Sequence, residues 1–176
     1  LEAEKVRLDK LMRALRRLLV LSGLGRPVLV ALVGSSWRQA PQPAPARHLY
    51  QGALFRLSLE YALKTADETF VLSALHGLVD LDEEIEPHEF TMGDRHVLEC
   101  VLWASSITNT LTRKLPGLRL RFLGLAGPEY LYPLALRFAG RGWFIDRPLA
   151  GMGVGARIAW LKRELGIKRK RTARHS

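Results

Sequence analysis

The chain has 176 residues, 48% of them hydrophobic and 25% charged, which is enough apolar material for one domain with its own core. Its single cysteine, Cys100, excludes an internal disulfide and a thiolate zinc cluster, and leaves a reducing, cytoplasmic compartment as the expectation. The net charge of +10 is concentrated at the ends, since Leu1 to Arg26 contributes +4, Pro27 to Ile167 +1 and Lys168 to Ser176 +5; such ends neutralise phosphates or simply form a solvated surface.

In chain order, Leu8, Leu11, Met12, Leu15 and Leu18 or Leu19 recur at helical spacing among basic residues, predicting an N-terminal amphipathic helix within residues 1–26 that packs on the domain. No cleavage-site pattern follows it, so no signal peptide is expected. Val28 to Val33 is an unalternated apolar run, as in a strand covered on both faces of a parallel sheet. It is also far too short to cross a bilayer, and no membrane role is expected. Pro41, Pro43 and Pro45 then forbid a persistent helix or paired strand between Ser35 and Ala46.

Helical spacing returns at Leu54 to Leu63, and Thr69 to Ala74 reads as a second buried strand. A long helix is predicted within Asp94 to Leu115, carried by Val97, Val101, Leu102 and Leu111. Leu118 to Leu125 is a third strand, Pro128 opens a helix that buries Leu131, Leu134 and Phe138, and Trp143 to Asp146 is a fourth strand. A last helix ends near Leu165, which closes an α/β domain over 27–166 and leaves a basic tail, 167–176, expected to be disordered. Alternating strands and helices predict a mostly parallel central sheet with helices on both faces, in which ligands bind beyond the strands' carboxyl ends.

Three loops are therefore expected to gather on one rim: Gly34 to Arg38, Leu75 to Glu89 and Ala126 to Tyr130. Gly34, Ser35 and Ser36 offer backbone and hydroxyl donors to an anion, with Arg38 adding charge, although the same residues suit a plain strand-ending turn. His76 precedes Gly77 at a turn that suits positive φ, and an imidazole there hydrogen-bonds a base or phosphate or transfers a proton; a structural role is the alternative. Of the six acids from Asp80 to Glu89, Asp82 and Glu89 are candidates for positioning water. No metal-ligand spacing is present and no cofactor is expected, because Gly151 to Gly155 has no acid about 20 residues beyond it, as a dinucleotide site would. Tyr50, Phe55 and Tyr130 are candidates to stack on a base, with core packing the favoured role of Phe55, while Trp103 and Trp160 are assigned to packing.

The ordered series Val30 to Ser36, Pro43 to Arg47, Leu49-Tyr50, Leu54-Phe55, Leu72 to Leu78, Asp82 with Ile85 to His88, Ala126-Gly127 with Tyr130, and Gly151 to Leu161 resembles one family. It is the bacterial and phage domains related to peroxide-stress YaaA proteins, distantly similar to the uracil-DNA glycosylase-like three-layer fold. The resemblance implies a DNA- or RNA-associated protein whose pocket is formed by Gly34 to Arg38, Tyr50, Ser73 to Leu78 with Gly77, Asp82, His88, Gly127 and Tyr130. Where relatives carry a cysteine and lysines in the first loop, this chain has Ser35, Trp37 and Gln39; where they carry tyrosine-aspartate, it has His88-Glu89.

The resulting expectation is a rim that accepts an extruded or single-stranded base, with Asp82 and His76 as catalytic candidates for N-glycosidic cleavage and Lys168, Arg169, Lys170 and Arg171 on the backbone phosphates. A noncatalytic stress-response or phage-defence module and a protein-interaction domain are the alternatives.

Overall fold

The structure is a computed structural model and describes residues 2–21 and 25–167. Five strands form the central sheet: β1 (Val28–Gly34), β3 (Glu68–Ser73), β4 (Gly77–Asp80), β6 (Leu120–Leu125) and β7 (Ile145–Asp146). Their order is β4-β3-β1-β6-β7, with β1, β3, β6 and β7 parallel and β4 antiparallel at one edge. The three longer expected parallel strands form within two residues of their predicted ends.

Successive residues of β1 serve opposite layers, which explains its unbroken apolar run. Val28, Val30 and Leu32 enter a core with α4 (Val97–Lys114) and α5 (Pro128–Ala139). Ala31 and Val33 enter the other core with α3 (Ala53–Thr65) and α6 (Val154–Glu164). Each fully buried Val or Leu here contributes about 1.5–3 kcal/mol of transfer free energy.

Four expectations need correction. The proline-rich stretch is not featureless: β2 (Ala44–Pro45) pairs with β5 (Glu84–Ile85), and one helical turn, α2 (Ala46–Leu49), follows. Only two residues pair, as a proline without an N–H permits. The segment after His76 is a tight hairpin into β4 rather than a long loop. In α4 the buried face is Trp103, Ala104, Ile107, Thr108 and Leu111, whereas Val97, Leu98, Val101 and Leu102 are exposed. Finally, the N-terminal helix α1 (Glu2–Leu21) forms, but Leu8, Leu11, Met12, Leu15 and Leu18 are exposed. Both faces of the sheet are already covered by other helices, so no sheet face is left for that stripe. The basic residues Lys168 to Arg171 lie outside the described residues, and among those described no helix is long and apolar enough to cross a membrane.

Candidate functional site

The chain leaves β1 to one side, towards β3, and later returns to its other side as β6. The loops beyond the carboxyl ends of β1 and β6 therefore diverge and open a crevice, the place where sheets of this kind hold ligands. Gly34 ends β1, where a Cβ would stand 2.9 Å from that of Ala126, so the close approach of the two strand ends requires glycine. The next residue spans the crevice: Ser35 Oγ and the Tyr130 hydroxyl are 3.1 Å apart. The backbone N–H of Ser35 donates to the Leu72 carbonyl at 3.0 Å and ties the same loop to β3. Gly127 begins α5 and presents Tyr130 one turn later, its carbonyl accepting the Tyr130 N–H at 3.1 Å.

A polar cluster lies at the end of β3. Ser73 is fully buried; its hydroxyl accepts the His76 backbone N–H at 3.1 Å and stands 3.4 Å from His88 Nε2. Gly77 closes this turn at φ 75°, a conformation that β-carbon sterics disfavour. The turn is clamped from α4 and its approach: Trp103 Nε1 donates to the Ser73 carbonyl at 3.0 Å, and the Arg95 guanidinium donates to the Ala74 carbonyl at 2.6 and 3.0 Å.

His88 is fixed by its backbone. Gln39 Nε2 donates to the His88 carbonyl at 2.8 Å, and the His88 N–H donates to Gln39 Oε1 at 2.9 Å. Its Nε2 lies 3.3 Å from the Tyr50 hydroxyl, and its ring meets that of His76 edge-on at 5.4 Å. Nδ1 is buried with no hydrogen bond of good geometry. Burial and then the charge of His76 lower the His88 pKa below its ordinary value, opposed by the Phe90 backbone. Burial likewise raises the pKa values of Tyr50 and Tyr130, while hydrogen bonds from Ser73 and Ser35 respectively pull them back. The cluster thus presents neutral hydroxyls and an imidazole that resists protonation, groups that read donors and acceptors rather than net charge.

Ser36 and Arg38, together with Gly34 and Ser35, line an adjoining cavity of about 360 Å³ between the first loop, α3 and α6. Ser36 Oγ accepts the Arg38 N–H at 3.2 Å.

Of the residues expected at the rim, Gly34, Ser35, Tyr50, Ser73, His76, Gly77, His88, Gly127 and Tyr130 come together through these contacts. Asp82 does not join them. Its side chain is 82% exposed and its carboxylate stands 2.8 Å from Arg47 Nε; Glu89 is also exposed. Tyr50 cannot offer an open face to a base, because it is 1% exposed and packed on Phe55 with ring centroids 5.3 Å apart, so its contribution is the hydroxyl. Gln39, Trp103 and Arg95, which support the cluster, carry no signal of that role in the sequence. Their polar groups act on backbone atoms, which leave no pattern in side-chain periodicity. Trp37, 90% exposed, is the aromatic ring that stands open beside the first loop. No cluster of metal-ligating side chains occurs among the described residues.

A family model described as "Family of unknown function (DUF6884)" matches residues 30–163, more than half of the chain and all of the elements that build the rim. No curated protein and no solved structure matches the chain.

Proposed function

We propose, from the premise that this chain belongs to the DUF6884 family of unknown function, that its rim binds a nucleobase or nucleotide of DNA or RNA. The observation that carries the reading is the convergence of Ser35, Ser73, His76, His88 and Tyr130 at the carboxyl ends of β1, β3 and β6. Imidazoles and hydroxyls in that setting match the donor and acceptor edges of an unpaired base. The basic ends of the chain add phosphate neutralisation, and the resemblance to YaaA-like proteins and the uracil-DNA glycosylase-like sandwich belongs to the same reading.

Binding is favoured over glycosidic cleavage, because no described carboxylate hydrogen-bonds to the cluster and Asp82 faces Arg47. Fluorescence anisotropy with single- and double-stranded oligonucleotides, titrated with salt, tests it. Binding that weakens with salt and is reduced by His88→Ala is the expected result; no binding at low salt removes the reading. Duplexes carrying modified bases, assayed for abasic sites, test the cleavage version separately.

A further inference from the structure

The cavity beside the rim has a chemistry of its own. Gly52 and Ala53 at the start of α3 and Val154 at the start of α6 line it, and neither helix start is closed by a capping side chain. First-turn N–H groups and the positive ends of two helix dipoles therefore meet at one volume. Arg38 and Arg157 add two cations to the wall. Arg157 is steadied by its Nε donating to the Met152 carbonyl at 2.8 Å, neither arginine has an acidic partner among the described residues, and no lining residue is acidic.

The independent observation is Ser58. It is 1% exposed, lines the same cavity, and its buried Oγ has no hydrogen-bond partner. Buried hydroxyls are nearly always paired, so an unmet one in a residue of a cavity wall marks where a ligand's polar atom belongs. Ser58 lies five residues beyond Ala53, about 7.5 Å further along the helix axis. The ligand thus has an anionic end at the helix starts and a body with a hydrogen-bonding group deeper in, against Phe55, Leu125, Leu149 and Ile158. A cavity of this size falls at the lower end of the roughly 300–1,000 Å³ typical of ligand pockets.

We propose that this cavity is a nucleotide subsite, in which Arg38, Arg157 and the N-termini of α3 and α6 hold a phosphate monoester and Ser58 hydrogen-bonds the nucleoside it carries. The inference rests on the nucleic-acid reading of the rim. The phosphate comes either from a free nucleotide or from the phosphorylated end of a strand.

Calorimetric titrations of the full chain with thymidine 5′-monophosphate, thymidine and inorganic phosphate test it, alongside one oligonucleotide with and without a 5′-phosphate. At least one phosphorylated ligand should bind roughly tenfold or more tightly than its unphosphorylated counterpart, as charge-assisted hydrogen bonds imply. That ligand should shift the amide resonances of Ala53, Leu54, Val154 and Gly155, and Arg157→Gln and Arg38→Gln should each weaken it. A preference for the monophosphate identifies a free nucleotide as the source, and a preference for the phosphorylated oligonucleotide a strand end. Ser58→Ala, a small change that preserves the core, should weaken the nucleotide but not inorganic phosphate. Affinities indifferent to the phosphate in both pairs overturn the subsite. If the bare oligonucleotide still binds and still requires His88, the rim reading survives that failure.

Discussion

Gln39 holds both backbone polar groups of His88, donating to its carbonyl at 2.8 Å and accepting its N–H at 2.9 Å. One side-chain amide thus does what a paired strand residue would do, and joins the loop after β1 to the acidic segment after β5. Replacing it with leucine leaves two backbone groups unsatisfied in a half-buried place. Gln39→Leu should destabilise the chain by about 1–3 kcal/mol and accelerate hydrogen exchange at the His88 amide. Unchanged exchange there would mean that His88 is held by something else.

Stability should fall with acid through His88. Its folded pKa lies below the ordinary value, so the unfolded chain takes up a proton first as pH drops through about 6.5. Between that value and the lower folded one the unfolded state holds more protons, and unfolding free energy decreases as pH decreases. Urea unfolding across this window should show the slope in the natural chain and a shallower one in His88→Asn. Tyr50, Ser73 and His76 face the same ring, and His76→Asn should raise the His88 pKa by removing a neighbouring charge.

Gly34→Ala should cost about 1–3 kcal/mol, because its new Cβ would meet the Cβ and backbone Cα of Ala126 at 2.9 and 3.1 Å and push β1 and β6 apart. The same variant should weaken oligonucleotide binding beyond its effect on stability, since Ser35 and Tyr130 would separate. Chemical denaturation and anisotropy on one preparation distinguish the two effects.

Much of this layout was legible in the sequence, for reasons particular to each segment. Val28 to Val33 is apolar on both faces because two helical layers cover it, and its short length and valine content mark it as a strand. The turn at His76-Gly77 was legible because glycine answers a positive φ. By contrast, β4 and the β2–β5 pair are short and carry Asp80, Pro45 and Glu84, and β2 and β5 in addition join segments remote in the chain. The buried face of α4 was misread because Val97, Val101 and Leu102 share its helical spacing yet stand outside the core, while Trp103 points inward to Ser73.

Asp82 follows β4 closely in the chain yet stands apart from the polar cluster, facing Arg47. Its ion pair with Arg47 is solvent-exposed on the acid's side, and exposed pairs contribute about 0–1 kcal/mol. Asp82→Asn should leave the unfolding midpoint nearly unchanged and oligonucleotide affinity undiminished. A large loss of either would return the carboxylate to the site.

Trp103→Phe keeps most of the buried ring but removes the donor to the Ser73 carbonyl. A loss of about 1–3 kcal/mol is expected, with the His76 turn exchanging faster. Equal stability would show that the indole serves only as filler.

Ser35 and Tyr130 are separated by 95 residues. On the ribosome, the first half of the crevice emerges long before the second, and β1 stays without its β6 neighbour until that strand has been made. Interactions between such distant parts of a chain form slowly, so competence should arrive late and all at once, after α5 has docked. A nascent fragment ending before Gly127 would carry His76 and His88 and still lack the tyrosine that meets Ser35 across the crevice.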